Sequence, residues 1–293
     1  MSESEGTLTR RQLGRYLKSA REEAGFTLEQ AGRQMDWSKS KLQRHEAGEV
    51  AKIRRPDLDL LIRLYQIDDR QAAHLRGLAE TAAGKSWWHE FSRVLPDDFR
   101  IYVDMESAAA VLTTYQPDLV PGLLQTRPYA RVLAYTANPE DGEDALAGRL
   151  ELKARRQRIL THNLKKPQLN MVLGETVLRR VVGGPKIMSD QLKRLAEAST
   201  LPNVTLRILP FSAGMPTGDQ TGPFVIIDFT TDGRGQPVAP TTIYSEGYSS
   251  DMYSEKRDVV DRYVEAYRVL QRAALDESSS RDLVREIARE YSA

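Results

Sequence analysis

Within residues 27–47, Lys39, Ser40, Gln43 and Arg44 project from the side of a short helix that Leu42 does not use. Polar and basic side chains on the first turns of a helix are the groups that reach base edges in the major groove of DNA. Arg44 is the best geometric match among them. A guanidinium meets guanine O6 and N7 in a two-pronged contact that carries about 1–3 kcal/mol of discrimination. Arg15, Lys41, Lys52, Arg54 and Arg55 are cations suited to phosphates, which supply affinity but little sequence information. Thr27 opens the preceding helix with a hydroxyl cap, and the amides and dipole behind it suit one more phosphate.

Other chemistry is poorly provided for. The chain has no cysteine, which excludes disulfides, thiolate zinc sites and cysteine nucleophiles. His45, His74, His89 and His162 are isolated, without the His-Glu-x-x-His or His-x-His spacing that builds a metal site. Neither a Gly-x-Ser-x-Gly elbow nor a Walker-type phosphate loop occurs, and Gly183–Gly184 reads as a turn. Glu175 and Asp228 fall near strand ends, where acid–base work is conceivable, but any α/β domain carries such residues. The expectation is a protein that is not an enzyme and uses no cofactor and no metal.

Charge supports a polyanion partner. Residues 10–55 hold twelve Lys and Arg against six Asp and Glu, a local excess in a chain whose formal net charge is only +1. A basic head on a slightly acidic body follows. Nothing resembles a secretory leader or a membrane span, so a cytoplasmic, nucleoid-associated protein is expected.

The elements that must position these side chains are short helices. Leu13, Leu17 and Ala20 give one; Leu28, Ala31 and Met35 a second; Leu42, after the Ser38 cap, a third. Pro56 and Asp57 open a fourth helix, and a fifth is expected from about Asp69 to Thr81. The reading is multidomain: an all-α five-helix head over residues 8–84, then an α/β or α+β domain with a small sheet over 85–293. In that second part helices are expected at 104–115, 125–135, 142–161, 189–199, 254–275 and 279–291. Strands are expected at 168–173, 204–209, 223–229 and 241–246.

Residues 27–47 resemble the helix-turn-helix of the large family typified by phage repressors and xenobiotic-response-element regulators, whose pattern continues into Glu46–Ala47–Gly48. The resemblance implies base contacts from Lys39, Ser40 and Arg44, and a buried pair between Arg21 and Glu46. The chain departs from the pattern at Asp36, where Gly is usual, at Gly32, where Ala is usual, and at His45, which replaces an apolar residue. A second resemblance rests on Ser86–His89, Tyr115–Thr126, Leu178–Pro185 and Leu209–Gly214. These are similar to actinobacterial, WhiJ-like regulators of Streptomyces type, which join such a head to a C-terminal domain of unknown function. That similarity implies control of development or specialised metabolism, and a small partner protein encoded nearby.

Three features stay open. Trp87 and Trp88 either pack into neighbouring surfaces or wall a ligand pocket. The loop from Phe211 to Gly222 has the length of a binding element. The basic run Arg149, Lys153, Arg155, Arg156 and Arg158 is expected as a solvated helix face, with a second phosphate contact or an acidic partner as alternatives. Two regulators fit: a homodimeric repressor on double-stranded DNA whose C-terminal domain dimerises and receives the partner protein, or a regulator whose C-terminal domain binds a small molecule. An antitoxin-like protein would share the DNA activity.

Overall fold

The structure, a computed structural model, describes residues 5–292 apart from 51, 70, 73–74, 77–78, 80–86, 92, 162–165, 230–238 and 249–250. The expected boundary at 84 and 85 therefore lies outside the described residues, as do His74, His162 and Ser86. The chain divides into two compact units, Met1–Glu90 and Phe91–Ala293.

The first unit is helical: α1 (Glu5–Glu23), α2 (Leu28–Gln34), α3 (Lys39–Glu46) and α4 (Arg55–Leu64). Of the fifth helix expected over 69–81, residues 69, 71–72, 75–76 and 79 are described, and they are helical. Helical spacing brings Leu13 and Leu17 of α1, Ala31 of α2, Leu42 of α3 and Leu58, Leu61 and Ile62 of α4 into one buried cluster. Burial of these side chains, at about 1.5–3 kcal/mol for each large one, holds α2, α3 and α4, which are too short to persist alone.

The second unit is α/β. Among the described residues its sheet has six strands in the order β3-β2-β1-β4-β5-β6. They are β1 (Ala109–Gln116), β2 (Gln168–Gly174), β3 (Val204–Leu209), β4 (Phe224–Phe229), β5 (Thr242–Ser245) and β6 (Met252–Ser254). β1, β2 and β3 run parallel, and β4 turns antiparallel to β1. Helices α5 (Asp97–Ala108), α6 (Arg127–Ala137), α7 (Glu143–Gln157), α8 (Thr176–Arg179), α9 (Pro185–Ala198), α10 (Arg257–Ala273) and α11 (Glu277–Glu290) accompany it. Alternation along the strands divides the sheet. Val172, Phe224, Ile226 and Ile243 pack with Tyr267 and Leu270 of α10. The register sets Thr114, Val225 and Tyr244 in one row across β1, β4 and β5. The outer edge of β3 is occupied: Leu275 N donates to Ile208 O at 2.9 Å, and Ser280 Oγ accepts from Ile208 N at 2.9 Å.

Two expectations fail. The helix expected over 104–115 stops at Ala108 and continues as β1. Val111, Thr113, Thr114 and Tyr115 suit a pleated surface, and a partner strand on each side outweighs the local helical spacing. The basic run is a solvated face only in part: Arg158 is exposed. Arg156 is buried in a bidentate pair with Glu106, at 2.7 and 2.8 Å. Arg149 Nε donates to Asp141 Oδ2 at 2.6 Å. The strand β6 was not expected at all.

Candidate nucleic-acid interface

The interface is built from the turn between α2 and α3. Thr27 and Gln30 form a reciprocal cap: Thr27 Oγ1 accepts from Gln30 N at 3.2 Å, and Gln30 Oε1 accepts from Thr27 N at 2.9 Å. The Thr27 hydroxyl is thus already engaged in holding α2. After α2 the chain reverses through Asp36 at φ 54°, a left-handed conformation that Asp tolerates better than most residues. Trp37 N donates to Gly32 O at 2.8 Å across this turn. A Cβ on residue 32 would lie 2.9 Å from Trp37 O, so the turn comes too close for the usual Ala. The departures at Gly32 and Asp36 therefore belong to one tight reversal. Ser38 then caps α3, its Oγ accepting from Lys41 N at 3.2 Å.

On α3, Leu42 and Glu46 are buried, while Lys39, Ser40, Gln43 and Arg44 are exposed. At 100° per residue these four cover an arc of about 140°, one continuous face. The structure thus brings the four residues expected at base edges together. The inner side is clamped. Arg21 Nε and Nη2 donate to Glu46 Oε1 and Oε2 at 2.7 and 3.0 Å, and Arg21 Nη1 donates to Phe26 O at 2.7 Å. Side-chain exposure of the pair is 7% and 5%, so the charges are matched in a nearly dry place. The closing Gly48 sits at φ 74°, and a Cβ there would come within 2.6 Å of Arg11 Cα. That is why the third helix ends on Gly against α1.

His45 is half-buried and stacks on Trp37 with ring centroids 4.7 Å apart, while Lys41 Nζ lies 4.1 Å over the same ring. Burial, and then the positive charge of Lys41, lower the His45 pKa. Trp37, buried, is the residue the sequence reading passed over. It supports α3 from below, and an aromatic next to a turn cap was its only signal. The expected phosphate cations scatter more widely. Lys52 and Arg55 are exposed and Arg15 is half-buried. Arg54 Nε is held by Asp57 Oδ2 at 2.8 Å.

In the second unit Phe211 and Met215 are both 60% exposed. Trp88 is buried and Trp87 half-buried. No described helix is long and apolar enough to cross a membrane.

A capped helix, a left-handed turn and a second capped helix with one bare polar face define a DNA-binding regulator of the helix-turn-helix class. In agreement, residues 12–75 match the family model described as a helix-turn-helix domain. Residues 99–286, more than half of the chain, match the model of a domain of unknown function, DUF5753, and the chain belongs to that family. No curated protein and no solved structure matches it.

Proposed function

We propose that the protein is a transcriptional repressor of xenobiotic-response-element type that binds an inverted-repeat operator as a dimer. Lys39, Ser40, Gln43 and Arg44 touch base edges, while Arg15, Thr27, Lys41, Lys52, Arg54 and Arg55 meet phosphates. One observation carries this reading: α3 is fixed from behind by the Arg21–Glu46 pair and presents four exposed polar residues in front. Half-sites then lie about one helical turn apart, the spacing at which two copies face the same side of the duplex. Arg54 must loosen from Asp57 to reach a phosphate, so its contribution is the smallest of the cations.

The second unit dimerises and receives a small partner protein, to which the exposed Phe211 and Met215 offer apolar contacts. The protein acts in the cytoplasm on the nucleoid, as a non-enzymatic regulator of the WhiJ-like actinobacterial kind. Chromatin immunoprecipitation with sequencing, followed by a gel shift on the strongest site, tests the core of this reading. Sharp peaks sharing a palindrome, with binding lost in Arg44→Ala, support it. Diffuse enrichment, or full-affinity binding of a monomer to an asymmetric site, overturns it.

A further inference from the structure

Between the sheet and helices α5, α6 and α7 lies a cavity of about 470 Å³, the size of those that hold small organic ligands. Its floor includes Leu112, Thr114 and Tyr244, on the face of the sheet turned away from α10. Part of the lining is apolar, with Leu123, Leu133, Ala134 and Leu150, and part of it is charged.

Three cations line this cavity, and two are already matched. Arg156 is bound to Glu106 and braced against Phe99, its guanidinium carbon 4.8 Å from the ring centre. Arg149 is held by Asp141 and by Val94 O, the latter at 2.8 Å. Lys153 differs. Among the described residues it makes no ion pair, and the hydrogen-bond acceptor its ammonium reaches is Gln125 Oε1. Gln125 is itself fixed in that orientation, because its Nε2 donates to Val120 O at 2.7 Å. Two of the three N–H donors of Lys153 therefore remain for whatever fills the space. Glu246, exposed, also lines the cavity.

Holding an ammonium here costs the fold. Burial, and then repulsion from Arg156, pull the Lys153 pKa down to about 8. Shielding of its carboxyl from water, and then Asp251, raise the Glu246 pKa, while Arg156 and Lys153 act to lower it. An anion seated against Lys153 would relieve that cost. A neutral or cationic ligand would leave the lysine as it is.

We propose that this cavity binds an amphipathic organic anion, a carboxylate on an apolar body, with the carboxylate on Lys153 Nζ and the body against Leu133, Ala134 and Leu150. The site belongs to the second unit alone, so it stands whether or not the head reads DNA as argued above.

Isothermal titration of the full chain with octanoate, 1-octanol and octylamine tests it. Octanoate should bind once per chain and at least tenfold more tightly than octanol, with octylamine no tighter than octanol. In Lys153→Met, octanoate should fall to the level of octanol while octanol is unchanged. Ala134→Trp, which fills the apolar part, should abolish binding of both. Circular dichroism melts confirm that the variants are folded, and Lys153→Gln replaces the methionine variant if that one is not. Absence of heat from every probe, equal affinity for octanoate and octanol, or wild-type octanoate binding by the folded lysine variant overturns the proposal.

Discussion

Replacing Arg21 by Met removes one half of the buried pair that holds α3, and its cost follows from what is left behind. Glu46 stays in a site where its side chain is only 5% exposed, having lost donors at 2.7 and 3.0 Å. Phe26 O loses its donor as well. Stranding one partner of such a pair costs about 3–5 kcal/mol, whereas replacing both partners by apolar residues is often neutral. Arg21→Met should therefore lose about that amount, and Arg21→Met with Glu46→Leu should recover most of it. All three tryptophans, Trp37, Trp87 and Trp88, lie in the first unit, so tryptophan emission in urea follows the head within the intact chain. With an unfolding slope of about 1–2 kcal/mol per molar urea, the single variant should move the head's midpoint by about 1.5–5 M, or leave it unfolded in water. The circular dichroism of the α/β unit should barely respond. A loss below about 1 kcal/mol, or a double variant as unstable as the sum of the two singles, would refute the reasoning.

Other outcomes can be checked with the same tools. Arg44→Ala should cost about 1–3 kcal/mol on the preferred operator and relax the choice at one base pair, while Lys52→Ala should weaken all sequences alike and flatten the salt slope by about one unit. Identical behaviour of the two in gel shifts across a salt series would mean that α3 is not the reading element. Gly32→Ala, which in an ordinary helix would stabilise by about 1 kcal/mol, should instead destabilise the head, because the new methyl meets Trp37 O at 2.9 Å; a rise in the tryptophan-detected midpoint contradicts this. The His45 pKa is lowered in the fold, so below about pH 6.5 the unfolded chain takes up a proton that the native state resists. Stability from this residue is present above that pH and is lost as pH falls towards the folded value. His45→Phe should remove that part of the acid sensitivity, read as urea midpoints between pH 7.5 and 5.5.

What could be read from the sequence was mostly what local periodicity encodes. The head was legible because Leu13, Leu17, Leu42 and Leu58 recur at helical spacing and because Thr27 and Ser38 announce the helix starts. The four polar residues of α3 followed from the same spacing. Tertiary pairing was harder to see. Nothing near Val111 shows that strands will flank it on both sides, so β1 passed for the end of a helix. Arg156 looked like a surface cation because its partner Glu106 lies 50 residues away and on another helix. The cavity was hidden for the same reason: its walls come from α5, α6, α7 and the strands, and no short window contains them.

The order of the strands bears on how the chain is made. β1 sits in the middle of the sheet, yet its partner β4 pairs Val225 with Thr114, more than 100 residues further along the chain. Among the described residues, the buried core cluster of the head, by contrast, ends at Leu75. At a synthesis rate of about 5–20 residues per second, β4 leaves the ribosome about 7–30 s after the head's last core residue. During that interval the buried core residues of the head are already made, while the central strand of the α/β unit waits with one edge open. The head can thus fold before the sheet is complete, and slowed translation between Leu75 and Phe224 would lengthen the period in which that edge is exposed to other strands.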